Sequence, residues 1–354
     1  MTGSGMNQMH CPKLGELPSP PPGKTGWPWT EESTPIPDRL PDGRPWPRVT
    51  IVTPSFNQGQ FIEETIRSVL LQGYPNLEYI IMDGGSTDGS LEIIRKYQTW
   101  LAGWVSKPDR GQTQAINQGW SQATGEILAY INSDDCYLAG GVAQAVWGFQ
   151  NNPYAGMVYA AAVIVDAEGK ELKNWDAMPF DLKVMLTEEN VVPQPAAFFS
   201  RDVLNQLGYL DEKYQMIMDY ELYIRLGMGF SSICLPGKLA RFRDHPGSKT
   251  RTRFETTAQE LIRFGNAFFN EHPSRSDMQA LRPATLGRYY YMLALGCVAQ
   301  GRGRAARALK PLIRSISLYP PFALRRPLQT SYVVKEALLG YLSDGRDLFV
   351  RKTG

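Results

Sequence analysis

Residues 50–90 read TIVTPSFNQGQFIEETIRSVLLQGYPNLEYIIMDGGSTDGS. The first six residues continue a β-branched run begun at Arg48 and predict a strand. Phe61, Ile62, Ile66, Val69 and Leu70 then recur at helical spacing. LEYIIMD predicts a second strand ending at Asp83, and a glycine turn leads into the helix SLEIIRKY. The same alternation continues with GWVSK as a short strand, TQAINQGWSQA as a helix and GEILAYI as a strand. Near-continuous apolar strands alternating with helices imply a largely parallel sheet covered on both faces. Such sheets bind ligands at the carboxyl ends of their strands. That places Thr53 to Asn57, Asp83 to Asp88 and Asn132 to Asp135 along one edge.

Outward from this block the pattern changes on both sides. Residues 1–47 are dense in Pro and Gly, which break helix and ladder alike, and predict an extended arm. Trp27, Trp29 and Trp46 would anchor it to the domain; a mobile tail is the alternative. Residues 48–250 form the α/β domain. Its later part is more mixed, with AGMVYAAAVIVD, QPAAFFSR, SSICLPG and LARFRDH as strands and MDYELYIRL as a helix. Residues 251–354 read as helical, with a hairpin turning at Gly301 to Gly303.

The chain has 354 residues, a formal net charge of +2 and 43% hydrophobic residues, values of an ordinary globular protein. The charge gives no ground for a nucleic-acid partner. Cys11, Cys136, Cys234 and Cys297 show neither zinc-ligand spacing nor a disulfide framework, which fits a reducing compartment. No secretory signal is evident, and the apolar stretch YYYMLALGCVA is too short to span a bilayer. The expected location is cytoplasmic, or peripheral at the inner face of a membrane. The basic and apolar run RGRAARALKPLIR would rest on anionic lipid, or else form the solvated face of a packing helix.

Three constellations carry chemistry. In MDGGSTDGS, Asp83 ends a strand where it can accept from a ribose hydroxyl or a nucleobase N–H, while Asp88 reads as a turn and cap residue. In YINSDD, two adjacent carboxylates at a strand end call for a positive charge. Mg²⁺ or Mn²⁺ shared with a substrate phosphate would supply it; a solvated loop with Asp135 capping the next helix is the other reading. Lys107, Asp109 and Arg110 precede a helix start and suit a diphosphate, or simply form a charged surface loop.

The ordered set TIVTPSFNQGQFIEETIRSVLLQGYPNLEYIIMDGGSTDGS, PDRGQTQAINQGWSQATGEILAYINSDD and MDYELYIRL resembles the family 2 nucleotide-sugar glycosyltransferases over roughly residues 48 to 248. The resemblance implies a GT-A fold, a Rossmann-like mostly parallel sheet flanked by helices, followed here by a helical C-terminal extension. It implies inverting transfer of a single sugar, since the Gln-x-x-Arg-Trp motif of processive synthases is absent. Thr53, Pro54 and Asn57 would line the nucleotide pocket, with Asp83 at the base and Arg110 near the diphosphate. Asp134 and Asp135 would hold donor and metal, assisted by His245. Asp219 would be the general base, with Glu221 and His245 as the next candidates. Two departures stand out: Asn132 replaces the first Asp of the commoner LDSDD form, and Met218 replaces a Glu. The implied partners are a nucleotide-diphosphate sugar, a UDP-sugar first, a carbohydrate or lipid-linked acceptor, and divalent Mn or Mg. The domain could otherwise be a non-catalytic binding protein on the same fold. A nicotinamide-dependent oxidoreductase is disfavoured because no GxGxxG follows the first strand.

Overall fold

The computed structural model describes residues 2–4, 11–299 and 305–350, with backbone alone over 2–4 and 340–350. Two compact units emerge, Met1–Leu182 with Asn190–His245, and Lys183–Glu189 with Pro246–Gly354. The first is built on a ten-stranded sheet. Its strands are β1 (Thr2–Ser4), β2 (Val49–Ser55), β3 (Leu77–Asp83), β4 (Gly103–Ser106), β5 (Ile127–Tyr130) and β6 (Cys136–Tyr137). They continue with β7 (Ala155–Val165), β8 (Glu171–Trp175), β9 (Ala197–Ser200) and β10 (Ser231–Arg243). The order is β1-β4-β3-β2-β5-β9-β7-β10-β6, with β8 paired to β7.

β2 pairs in parallel with both β3 and β5, and β3 with β4. This explains why β2 is buried along its whole length: a parallel strand with crossover helices on both faces has no solvent side. Helix α1 (Ile62–Leu70) follows β2, and α3 (Gln112–Gln122) packs against it. At Gly119 of α3 an added Cβ would lie 2.5 Å from the Val52 side chain, so glycine sets how closely this helix descends on the sheet. β9 then enters antiparallel between β5 and β7.

One expectation is corrected. SSICLPG and LARFRDH are a single strand, β10, paired in parallel with β7. The Pro-Gly pair reads as a turn in sequence. Instead the ladder shifts register between Cys234 and Ala240, and Gly237 takes φ 86°. Pro236 has no N–H to give the ladder, and the irregularity returns Leu239 and Ala240 to the core.

The Pro-rich segment from Cys11 to Pro47 packs on this unit. Trp46 is buried edge-on against Tyr74 and Trp147, and Trp27 Nε1 donates to the Tyr137 carbonyl at 2.8 Å. Arg67 of α1, fully buried, holds the segment by its carbonyls. Its guanidinium donates to Pro28 O at 3.0 Å, Trp29 O at 2.9 Å and Pro18 O at 2.8 Å, and to the Tyr97 hydroxyl at 3.1 Å. A chain rich in proline offers carbonyls without matching N–H groups, and the five-donor fork of one arginine meets that need. Replacing Arg67 by Leu leaves these acceptors buried without partners. We expect at least about 2 kcal/mol of lost stability, with earlier tryptic cleavage within residues 11–47. An unchanged melting curve would show that the segment needs no such clamp.

The second unit is helical, with its main helices at Phe254–Glu271, Arg282–Ala299, Leu309–Leu318, Pro320–Leu324 and Pro327–Val350. Ser315 Oγ donates to Gly287 O at 2.7 Å, and Leu312, Phe322, Val333 and Ala337 pack with Tyr291 and Cys297 in its core. The expected turn at Gly301 to Gly303 lies outside the described residues. Among those residues no helix is long and apolar enough to cross a membrane.

Candidate active site

The carboxyl ends of β2, β3 and β4 lie abreast, with Ser55 in register with Asp83 and Asp83 with Ser106. Asp83 is buried, and its carboxylate organises the turn that follows it. Oδ2 accepts from Gly85 N at 3.1 Å, Ser86 N at 2.9 Å and Ser106 Oγ at 2.7 Å, and Oδ1 accepts from Ser86 Oγ at 2.5 Å. The glycines therefore do not form the turn unaided. What remains for a ligand is the free acceptor capacity of Oδ1. Asp88 ties the next helix to the β2 loop, accepting from Ser90 N and Oγ and from Gly59 N.

Thr53 and Pro54 are buried inside β2, and the Thr53 hydroxyl lies 3.0 Å from that of Tyr79. Their side chains belong to the core, so at most the backbone they position can line a pocket. Asn57 has φ 52°, a left-handed conformation that Asn tolerates. It pins the β2 loop to the β3 loop, donating its N–H to Ser86 Oγ at 2.8 Å and accepting from Thr87 N at 2.9 Å. The sequence reading passed over Phe56, which stands 61% exposed at this edge; a large apolar ring at a ligand-binding edge was the available signal.

After β5 the chain runs into the Asp pair. Asn132 donates from Nδ2 to Asp135 Oδ2 at 3.1 Å and to Gln194 Oε1 at 2.9 Å, and it accepts from Gln112 Nε2 at 2.5 Å. An Asp at 132 could make neither donation and would set a third carboxylate beside Asp134 and Asp135. The departure from LDSDD is thus a local solution in hydrogen bonding.

The two carboxylates diverge. Asp135 is 1% exposed and turned inward, with Oδ1 accepting from Arg243 N at 2.8 Å. Burial, and then the Asp134 charge, push its carboxyl well above the usual carboxylate range, against those two donors. Asp134 keeps a partly exposed side chain, and its Oδ2 is 3.1 Å from His245 Nε2. The expected metal set of Asp134, Asp135 and His245 is therefore corrected: Asp134 and His245 come together, while Asp135 faces the interior. Among the described residues no group of three or more His, Cys, Asp or Glu side chains could hold a metal ion. A divalent ion still fits the pair. One carboxylate oxygen and one imidazole nitrogen suit Mn²⁺ or Mg²⁺ when substrate phosphates and water complete the shell. The partly exposed Asp134 side chain, rather than the buried Asp135, is the one open to a cation.

Arg243 organises the region from within the fold. It is buried, paired with Glu64 at 3.0 Å, and donates to Asp134 O at 2.9 Å and Ala167 O at 2.9 Å, with its guanidinium 5.1 Å from the Phe61 ring centre. It therefore fixes the backbone of Asp134 and, through its N–H, the carboxyl of Asp135. The basic pattern of FRDH hinted at a charge here without showing that it was buried.

Asp219 lies in the first turn of α7 (Met218–Gly227), one residue past its start, so it is not the N-cap. It accepts from Tyr220 N at 2.8 Å, and burial raises its pKa to about 6. The hydroxyls of Tyr130 and Tyr223 are buried without partners. Burial, and then the Asp219 charge, push both phenols up. Neither tyrosine stands out in the sequence. Glu221 is committed elsewhere, in a two-bond pair with Arg225 at 2.9 and 2.8 Å. Arg110, expected near a diphosphate, bonds Glu212 at 2.6 Å on the surface.

A mostly parallel sheet flanked by helices, with acidic groups at its carboxyl edge and a helical C-terminal region, is a GT-A-type fold. Residues 50–208 match the family described as glycosyl transferase family 2. The chain is 29% identical over 234 residues to an uncharacterized glycosyltransferase of Mycobacterium tuberculosis, covering 62% of this chain and 84% of that one. Among solved structures it resembles S. aureus TarS 1–349 in complex with UDP-GlcNAc, with TM-score 0.57, 16% identity, and coverage of 83% of this chain and 89% of that one. It also resembles the mannosyltransferase PcManGT of Pyrobaculum calidifontis in complex with GDP-Man and Mn²⁺. There the TM-score is 0.54 and the identity 21%, with coverage of 85% of this chain and 88% of the other.

Proposed function

We propose that the domain is an inverting glycosyltransferase that moves one sugar from a nucleotide-diphosphate sugar, a UDP-sugar first, to a hydroxyl of a carbohydrate or lipid-linked acceptor. Such a step would serve surface polysaccharide or glycoconjugate synthesis. The chain would act in the cytoplasm, with peripheral membrane contact through its C-terminal helices. The observation that carries the reading is Asp219, a buried carboxyl whose pKa is raised to about 6 and which lies just past the segment 50–208 that matches family 2.

Asp219 removes the acceptor's proton as the new bond forms at the anomeric carbon and the bond to the diphosphate breaks. Phe56 and the free acceptor capacity of Asp83 face the nucleobase. Asp134 and His245 would hold Mn²⁺ or Mg²⁺, which when bound supplies a Lewis acid for the diphosphate. Arg243 holds the Asp134 backbone in place, and Asn132 holds the neighbouring Asp135 carboxyl.

The pH profile tests the base. A general base works in its ionised form, so kcat/KM should fall on the acid side with an inflection at about pH 6. Folding runs the other way. A carboxyl whose folded pKa is raised contributes stability below its ordinary value of 3.8, and that contribution is lost as pH rises through about 6. Activity should thus rise where this contribution to stability falls. A profile flat from pH 5 to 8 would remove Asp219 from the role.

A further inference from the structure

The outward face of the second unit is apolar where a solvated helix would be polar. In the helix Pro327–Val350, Val333 and Ala337 are buried against the unit's core. On the opposite side Leu328, Tyr332, Lys335 and Leu339 are exposed, Leu328 at 88%. Their spacing of four, three and four residues puts them in one stripe about 16 Å long. The helix is therefore apolar on both faces, a pattern otherwise found in buried helices. The neighbouring elements add to it: Leu324 is 75% exposed in Pro320–Leu324, and Ile313 is 65% exposed in Leu309–Leu318.

Charge selects the occupant. Between Ala305 and Leu339 stand six Lys and Arg, at 307, 310, 314, 325, 326 and 335, and one acidic residue, Glu336. Arg307, Lys310, Arg314, Arg325 and Lys335 are exposed. A second copy of the chain would bring like charges together. A bilayer bearing anionic phospholipid instead offers hydrocarbon to the leucines and negative headgroups to the basic rim.

We propose that this face, centred on Leu324, Leu328 and Tyr332 and rimmed by Arg314, Arg325 and Lys335, docks on an anionic phospholipid surface without spanning it. The inference deepens the peripheral-membrane part of the proposed function and rests on it only for the idea that a lipid-linked acceptor waits there.

Co-sedimentation of the full chain with phosphatidylserine/phosphatidylcholine vesicles is the test, with pure phosphatidylcholine vesicles as comparison. Binding should require the anionic lipid and weaken as salt rises. Arg325→Gln with Lys335→Gln removes two charges, for which roughly 30-fold weaker partitioning is expected at low salt. Leu324→Ser with Leu328→Ser should also release the protein, and because both side chains are exposed its melting temperature should stay unchanged. No sedimentation with anionic vesicles at low salt overturns the proposal, as does binding indifferent to both double variants. So does a dimer in analytical ultracentrifugation that the leucine variant dissolves, since the face would then belong to a second copy. Donor-sugar hydrolysis, measured without vesicles, keeps the two readings apart. Active enzyme that ignores vesicles removes only the docking surface, and vesicle-bound protein without transferase activity removes only the enzymatic reading.

Discussion

Asp219→Asn should lower transfer by about 10² to 10⁴ while leaving donor affinity close to that of the parent. Asn has nearly the shape of Asp and can still accept the short bond from Tyr220 N, so the first turn of α7 should survive. What it cannot do is take a proton. The competing account, a helix cap, predicts a near-silent change because Asn caps as well as Asp. Geometry already weighs against a cap, since Asp219 lies one residue inside the helix. The expected phenotype is a collapse in kcat with donor binding retained in titration calorimetry, and loss of the acid limb from any residual activity. Full activity in the variant would move the search to His245, because Glu221 is held by both nitrogens of its bridge to Arg225.

The sheet was legible because two periodicities separate cleanly. The strands around Val52 and Ile80 are near-continuous apolar runs, while the apolar residues from Phe61 to Leu70 return every three or four. Parallel burial on both faces leaves that signature and no other. The long strand β10 was not legible, because Pro236-Gly237 has the chemistry of a turn and only the core demand of Leu239 and Ala240 shows that the ladder resumes.

At the site, the sequence singles out Asp83, Asp134, Asp135 and His245 but does not encode their partners. Asp134 and Asp135 are chemically identical neighbours. Alternation and the Arg243 N–H send one inward, while the other meets His245. Asp83 was expected to be free for a ligand, yet four donors from its own turn and from Ser106 reach it. The roles of Arg243, Tyr130 and Tyr223 depend on burial across long sequence separations, which no local pattern encodes.

Removing divalent ions should bring transfer down to background, and Mn²⁺ or Mg²⁺ should restore it. The argument starts from charge. Asp135 is buried beside Asp134 and is pushed toward its neutral form by burial and by that neighbour. Arg243 does not cancel the pair, since its guanidinium is engaged with Glu64 and with backbone carbonyls. A diphosphate brought to this edge would add further negative charge, and Asp134 would repel it unless a cation lay between. Asp134→Ala strips the partly exposed carboxylate from that cation. Loss of groups that merely orient a ligand already costs about 10- to 100-fold in metal affinity, so a direct ligand should cost at least as much. In calorimetry the Ala variant should bind Mn²⁺ and UDP together far more weakly than the parent, with the melting temperature little changed. Asp135→Ala should differ in kind. It removes the acceptor for Arg243 N and Asn132 Nδ2, so the melting temperature should fall along with donor affinity. Full activity in thoroughly demetallated enzyme would mean that His245 and the backbone at the sheet edge neutralise the diphosphate without an ion.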